Sequence, residues 1–199
     1  MKHFYLIIAL GIGLINYAQS QSINSKFKHL NEPYKEWMFG VGVNAVVNLG
    51  ERNPVYSPSD WAIKHPLSVS AEKGFSPYWA LELNLALNGY DEGDKIDGLS
   101  LAQDETYFSF DAQAKYYFGK HIFSEDSWFD MFATAGPGYF VIDESNLSFN
   151  LGGGLLFWLN DNHRLGVKLQ TVGKFAVEAK DYLVDNNHFQ HHLQVVFKL

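Results

Sequence analysis

The chain contains no cysteine, so a disulfide framework is unavailable and no lipid-modified cysteine can anchor it. After Ile15 no apolar run approaches the roughly 20 residues a membrane helix needs, which excludes a helical membrane protein. Entry into a membrane would then require a closed barrel. Convincing helical periodicity is missing after residue 20. Basic residues are also in short supply: Lys and Arg number 15 against 22 Asp and Glu, a formal charge of -7. The clustered Lys and Arg that nucleic acid calls for are not there, so nucleic acid is not an expected partner.

What is there begins with an export signal. Met1-Lys2-His3 is a short basic start, Phe4 to Ile15 is apolar, and Ala18-Gln19-Ser20 offers small residues where a signal peptidase reads. Residues 1–20 are read as a cleaved signal peptide, and the charge becomes -8 once Lys2 leaves. Residues 21–36 are polar and read as an extended periplasmic lead-in. At 199 residues the remainder, 37–199, is one domain.

That remainder alternates apolar and polar residues in eight runs. The clearest is Trp79-Ala80-Leu81-Glu82-Leu83-Asn84-Leu85-Ala86-Leu87-Asn88, where every odd position is large and apolar. A period of two over such a length is a pleated strand between two different surroundings. The other strands are expected at about Trp37–Leu49, Leu67–Gly74, Thr106–Phe118, Trp128–Ile142, Leu147–Leu159, Leu165–Val177 and Phe189–Leu199. Gly136-Pro137-Gly138 interrupts one of them, and the missing proline donor predicts a bulge or bend there. The turns at 75–78, 119–127 and 160–163 are short; the connections 50–66, 89–105 and 178–186 are longer, with 143–146 a short exception. The expectation is an all-β, eight-stranded antiparallel up-and-down transmembrane β-barrel, with both termini and the short turns periplasmic.

The polar face is poor in charge and rich in Gly, Ser, Asn, Gln and Ala, unlike the solvated exterior of a lipocalin-like binding barrel. Its acids Glu72, Glu82, Asp111 and Asp130 are balanced by Lys115, Arg164, Lys168 and Lys174, as a narrow lumen requires. Counting from the strand ends places Glu82 and Lys115 at one depth. The apolar face carries Trp37, Phe39, Trp79, Tyr116, Phe118, Phe129, Phe157 and Phe197 near one rim, the pattern of an aromatic girdle at a membrane interface.

Three stretches resemble the OmpA-type barrel domain found in Bacteroidetes: Trp37-Met38-Phe39-Gly40-Val41-Gly42-Val43-Asn44-Ala45-Val46, Leu151-Gly152-Gly153-Gly154-Leu155-Leu156-Phe157-Trp158, and the closing stretch Asn187 to Leu199. The resemblance covers residues 21–199 and implies an eight-stranded outer-membrane barrel. Members often continue into a peptidoglycan-binding domain; this chain stops at the barrel, so direct wall tethering is not expected. It ends in Leu199 rather than the family's usual aromatic, which shifts recognition by the insertion machinery toward Phe197.

Chemical motifs are weak. His188, His191 and His192 alternate faces and do not predict a metal site. The acidic loop Asp91 to Gly98 lacks the spacing of a calcium loop. Gly152-Gly153-Gly154 precedes no helix and reads as a device for strand curvature rather than phosphate binding. Ser70, Asp111 and the histidines lie on separate strands with no motif joining them. No catalytic residues, metal or cofactor are expected. The partners expected are outer-membrane lipid and other envelope proteins. A structural barrel and an accessory subunit of a larger outer-membrane complex both remain open, ahead of a barrel hydrolase or acyltransferase.

Overall fold

A computed structural model describes residues 36–47, 53–55, 57–96, 99–124, 127–142, 144–178 and 187–199. They form strands β1 (Trp37–Val46), β2 (Leu67–Gly74), β3 (Trp79–Tyr90), β4 (Lys95–Ile96), β5 (Leu99–Ser100), β6 (Glu105–Tyr117), β7 (Phe129–Ile142), β8 (Glu144–Trp158), β9 (Leu165–Ala176) and β10 (His188–Lys198). Eight of them close into a barrel in the order β1-β10-β9-β8-β7-β6-β3-β2, while β4 and β5 pair as a small hairpin in the connection between β3 and β6. Neighbouring strands are antiparallel throughout. The chain is therefore a closed, all-antiparallel, up-and-down eight-stranded β-barrel, and the described residues include no α-helix. The expected signal peptide and the lead-in through residue 35 lie outside the described residues.

The alternation maps onto the two faces of the wall. On β3, Leu83 is 43% and Leu85 47% exposed, while Glu82 between them is fully buried. The outer face is an apolar belt that includes Val41, Val43, Val69, Phe110, Leu151, Leu169, Leu193 and Val195. This inverts a water-soluble domain, whose apolar residues face a core. The seam is closed by β10 against β1, from Met38 opposite Lys198 to Val46 opposite Gln190. It is tight: a Cβ on Gly42 would stand 2.0 Å from the Leu193 carbonyl oxygen. Gly152 and Gly154 on β8 approach β9 in the same way, at 2.2 and 2.1 Å from the Thr171 and Leu169 carbonyl oxygens.

Several boundaries differ from the sequence expectation. β1 stops at Val46, short of Leu49, because the chain returns to bond there: Val46 N–H donates to the Ala62 carbonyl and Ala62 N–H to that of Val46. Val47, expected on the outward row, is consequently buried; Leu49 is outside the described residues. β3 continues to Tyr90, so the following connection is shorter than expected and contains the β4–β5 hairpin. At Gly136-Pro137-Gly138, where a bulge or a bend is expected, the register shows no bulge. Pairing with β8 runs through it unbroken, and pairing with β6 loses only the rungs at Ala112 and Gln113 before resuming in the same register. Without an N–H, Pro137 cannot hold a rung, and the firm ladder on its other side prevents slippage.

Inside, the barrel is layered. At the end bearing the long connections, Val46, Ala62, Tyr90, Ile96, Tyr107, Phe140 and Ile142 form one apolar plug. At the end bearing the short turns, Met38, Ala80, Tyr117, Phe132, Leu156 and Val196 form another. Polar and charged side chains fill the space between.

Candidate functional site

The buried charges come together through register and reach. Glu72 and Glu82 are direct partners on β2 and β3, both facing inward with essentially no exposure. Two like charges so placed repel, and two lysines answer them. Lys115 Nζ donates to Glu72 Oε2 at 2.8 Å and to Glu82 Oε2 at 2.9 Å. Lys168, from β9 across the lumen, donates to the same Glu82 oxygen and to Ser70 Oγ at 3.1 Å. Tyr117 Oη donates to Glu72 Oε1 at 2.6 Å, and the Lys115 ammonium sits 4.0 Å over the Phe132 ring. The observed register pairs Trp79 with Tyr116, so Lys115 stands opposite Ala80, two residues nearer the turns than the depth of Glu82. Its long side chain spans the difference.

A second pair lies toward the other end. Lys174 donates to Asp111 Oδ1 at 2.5 Å, and Asn150 Nδ2 donates to the same oxygen at 2.7 Å. Two of the expected charges stay outside both groups. Asp130 lies near the turn-end mouth, its Oδ1 accepting the Met131 N–H. Arg164 is half-buried in the turn before β9. Amides and hydroxyls link the rest: Thr134 and Gln170 both donate to Gln113 Oε1, Ser70 to Gln194, and Gln194 to Ser68.

Neither candidate chemistry assembles. Ser70 is held by Gln194 and Lys168, and Asp111 by Lys174 and Asn150, so they form no triad. The Ser–His contact present, Ser68 Oγ to His192 Nδ1 at 2.9 Å, has no hydrogen-bond partner at His192 Nε2 and is sealed between the plugs. A nucleophile needs an oriented base and a path for substrate. The three histidines have three surroundings. His188 bonds Tyr107 Oη at 2.9 Å inside the barrel, and His192 bonds Ser68. His191 faces outward, its Nε2–H donating to the Pro54 carbonyl at 2.6 Å and its ring stacked on Trp61 at 4.7 Å. In a neutral ring that leaves Nδ1 to accept from Thr171 Oγ1 at 2.8 Å. No group of three metal-ligating side chains exists among the described residues. In the acidic loop, Asp91 and Asp104 each lie 2.6 Å from Lys64 Nζ, and Asp94 Oδ2 accepts the Asp91 N–H. Asp104 first, then Asp91, holds the Lys64 ammonium above its ordinary 10.5. Lys64, helped by the Glu92 N–H, holds the Asp104 carboxyl below its ordinary 3.8.

The rim aromatics form contacts around the turn end. Trp37 stacks on Phe39 at 6.0 Å, Trp79 meets Tyr116 at 4.8 Å, and Phe129 stacks on Phe157 at 6.4 Å. Phe118 lies just past β6 in the turn, half-buried like Tyr116, Phe129 and Phe157, while Phe197 is only 9% exposed and contributes little outward surface. Trp128, which joins Phe129 and Phe157 at 5.4 and 5.6 Å, belongs to the same aromatic group; as the first residue of the expected strand it has the inward parity of Asp130, but in the structure it precedes β7 and that parity does not apply. The plugs were missed as well. Their signal is paired apolar residues that break the alternation, as in Met38-Phe39, Val46-Val47, Leu155-Leu156 and Val195-Val196.

No family model matches the chain, and no curated protein matches its sequence. Solved structures do. The outer membrane protein OprG of Pseudomonas aeruginosa superposes with a TM-score of 0.56 at 12% identity, covering 83% of this chain and 96% of that one. The N-terminal β-barrel domain of Pseudomonas aeruginosa OprF gives 0.52 at 14% identity, covering 83% and 98%. Neisserial surface protein A gives 0.52 at 8% identity, covering 82% and 95%. Likeness at such low identity is likeness of fold: the chain shares the eight-stranded barrel of known outer-membrane proteins.

Proposed function

We propose that this chain is an outer-membrane barrel protein of OmpA type, with a structural or accessory role in the cell envelope and no catalysis of its own. Residues 1–20 direct export and are removed after Ser20. Residues 37–199 span the membrane, with the short turns and both termini periplasmic and the long connections outside. The observation that carries this reading is the exposed apolar belt on a closed barrel with a sealed polar interior. In water such a belt would be far larger than the few hundred Å2 of contiguous apolar surface tolerated by monomers; in a bilayer it matches the hydrocarbon. The aromatic contacts at the turn end suit the membrane interface, where a ring meets lipid on one side and water on the other.

The lumen supports the absence of a through-path. Eight strands leave an interior about wide enough for side chains, and here it is occupied at both ends by apolar residues. The reading is tested by single cysteines along β3, modified by a lipid-soluble reagent in reconstituted vesicles. Positions 81, 83, 85 and 87 should label, and 82, 84 and 86 should not; equal labelling would reject the orientation. Cross-linking in native outer membranes then separates a free-standing structural barrel from a subunit of a larger complex.

A further inference from the structure

Inside the ring of short turns lies an open cup of 330 Å3, within the about 300–1,000 Å3 of ordinary ligand pockets. Its floor is the turn-end plug, through Met38, Ala80 and Leu156, and its walls include Tyr117, Phe123 and Trp158. Three carboxylates line it, and two are already answered. Glu36 pairs with Lys198 at 2.8 Å, and Glu72 is held by Lys115 and Tyr117. Asp130 is the exception.

The Asp130 carboxylate is built into the wall. It faces inward on β7 with only 7% exposure, and its Oδ1 accepts the N–H of Met131 at 2.8 Å. Gly119 makes room for that oxygen, since a Cβ there would stand 2.2 Å from it. Oδ2 has neither a hydrogen-bond nor an ion-pair partner among the described residues, and Lys120 acts on the carboxylate only through space. A carboxylate so far withdrawn from water is costly unless a partner completes it.

The surroundings select that partner. A metal ion needs several ligands at once, and the described residues include no group of three that could hold one. Aromatic faces beside a single open carboxylate oxygen instead suit an ammonium group, which is drawn to both. The chain's own cations show the same preference. Lys120 Nζ lies 5.8 Å from the centre of the Tyr117 ring, and Lys115 Nζ lies 4.0 Å from that of Phe132 in the plug. Because the floor is apolar, a short hydrocarbon carried by the ammonium would be removed from water there.

We propose that this cup is a binding site for a primary alkylammonium group, with Asp130 Oδ2 accepting from the ammonium and the floor receiving the carbon chain. Two sources carry this chemistry, a free small amine and a lysine side chain of another protein. The site goes beyond a structural role, and it requires only the folded barrel, whether or not the outer wall meets lipid.

The methionines supply the readout. Met38 is in the floor, while Met131 stands on the outer face of β7. With its methionine methyls isotope-labelled, the full exported chain is folded in detergent, checked by heat-dependent gel migration, and titrated with n-butylammonium chloride at neutral pH. The Met38 resonance should shift saturably and the Met131 resonance should not. The uncharged n-butanol should bind about tenfold more weakly or worse, and so should n-butylammonium to Asp130→Asn, for loss of a charge-assisted hydrogen bond. Lys120→Gln removes a competing cation from the wall and should tighten binding. A lysine capped at both ends that shifts Met38 with the same dependence on Asp130 assigns the site to a protein side chain; one that does not assigns it to free amines. Equal affinity for amine and alcohol overturns the proposal and leaves an apolar recess. A folded Asp130→Asn barrel that binds as the parent does overturns it as well. Equal shifts at Met38 and Met131 mean partitioning into detergent and likewise overturn it. Should Asp130→Asn fail to fold, the comparison of amine with alcohol on the parent barrel decides.

Discussion

Glu72 and Glu82 are cross-strand partners that face each other inside the barrel, and Lys115 Nζ lies between them at 2.8 and 2.9 Å. One lysine thus neutralises a repulsion built into the β2–β3 rung, while Lys168 holds Glu82 from the far wall. Three of the four charges are fully buried and the fourth, Glu72, nearly so. Such groups are costly unless every partner is present.

Lys115→Ala should therefore be the most damaging single change in the lumen, because it leaves two adjacent carboxylates with one lysine. Removing one partner of a buried pair typically costs about 3–5 kcal/mol. Glu72→Gln in the same chain should restore part of the loss, so the double variant costs less than the two single changes added. Urea unfolding of the barrel in liposomes measures this; small and additive effects would mean that water screens the cluster.

The belt makes a positional prediction. Leu83→Arg or Leu85→Arg should destabilise the barrel in lipid by about 2–4 kcal/mol, the usual cost of a cation at mid-membrane. Ala86 faces inward and is buried, so Ala86→Arg should instead act by overfilling the lumen, with an effect that persists when lipid is replaced by detergent. Folding measured in both media separates the two mechanisms.

Purified protein in planar bilayers should show no large, steady conductance, because apolar side chains close the lumen at both ends. Porin-like steps would require a rearranged interior or an assembly of more strands.

Gly42→Val should disturb closure itself. The Cβ position is 2.0 Å from the Leu193 carbonyl oxygen and 2.6 Å from the Gln194 Cα, and backbone in a ladder cannot move aside as a side chain can. The cost of such overpacking is about 1–3 kcal/mol. The folded band on a heat-modifiability gel should be lost at lower urea than in the parent chain. An unchanged midpoint would mean that the seam is looser than this geometry.

The clasp between two loops should respond to pH at both extremes. The Asp104 carboxyl is held below 3.8 by Lys64, so its contribution is present above that pH and lost as the medium acidifies through the lowered value. Lys64 is held above 10.5, so its contribution is present below that pH and lost as the medium becomes alkaline through the raised value. The Glu92 N–H, which donates to Asp104 Oδ1 at 2.9 Å, reports the clasp. After correction for intrinsic exchange, its protection should fall below about pH 4 and should be weaker at neutral pH in Lys64→Met. Because the carboxylates are exposed, global stability should hardly change.

The sequence by itself determined the barrel. A strict period of two, repeated eight times and punctuated by turns of unequal length, has one closed solution, and each strand carries that signal locally in its own residues. β2 was legible to the residue for this reason. The outward parity of Leu81, Leu83, Leu85 and Leu87 was equally local. Only the tertiary structure decided which inward residues meet. That Glu72 opposes Glu82, that Lys115 sits two residues lower and still reaches both, and that Lys168 arrives from across the lumen all depend on register and barrel closure. Asp130 and Arg164 share the polarity of that cluster but not its position, a difference parity cannot express. The plugs were hidden for a related reason. Met38, Phe132, Leu156 and Val196 each look like a single lapse in alternation, and they become an apolar layer only when four separate strands bring them to one depth.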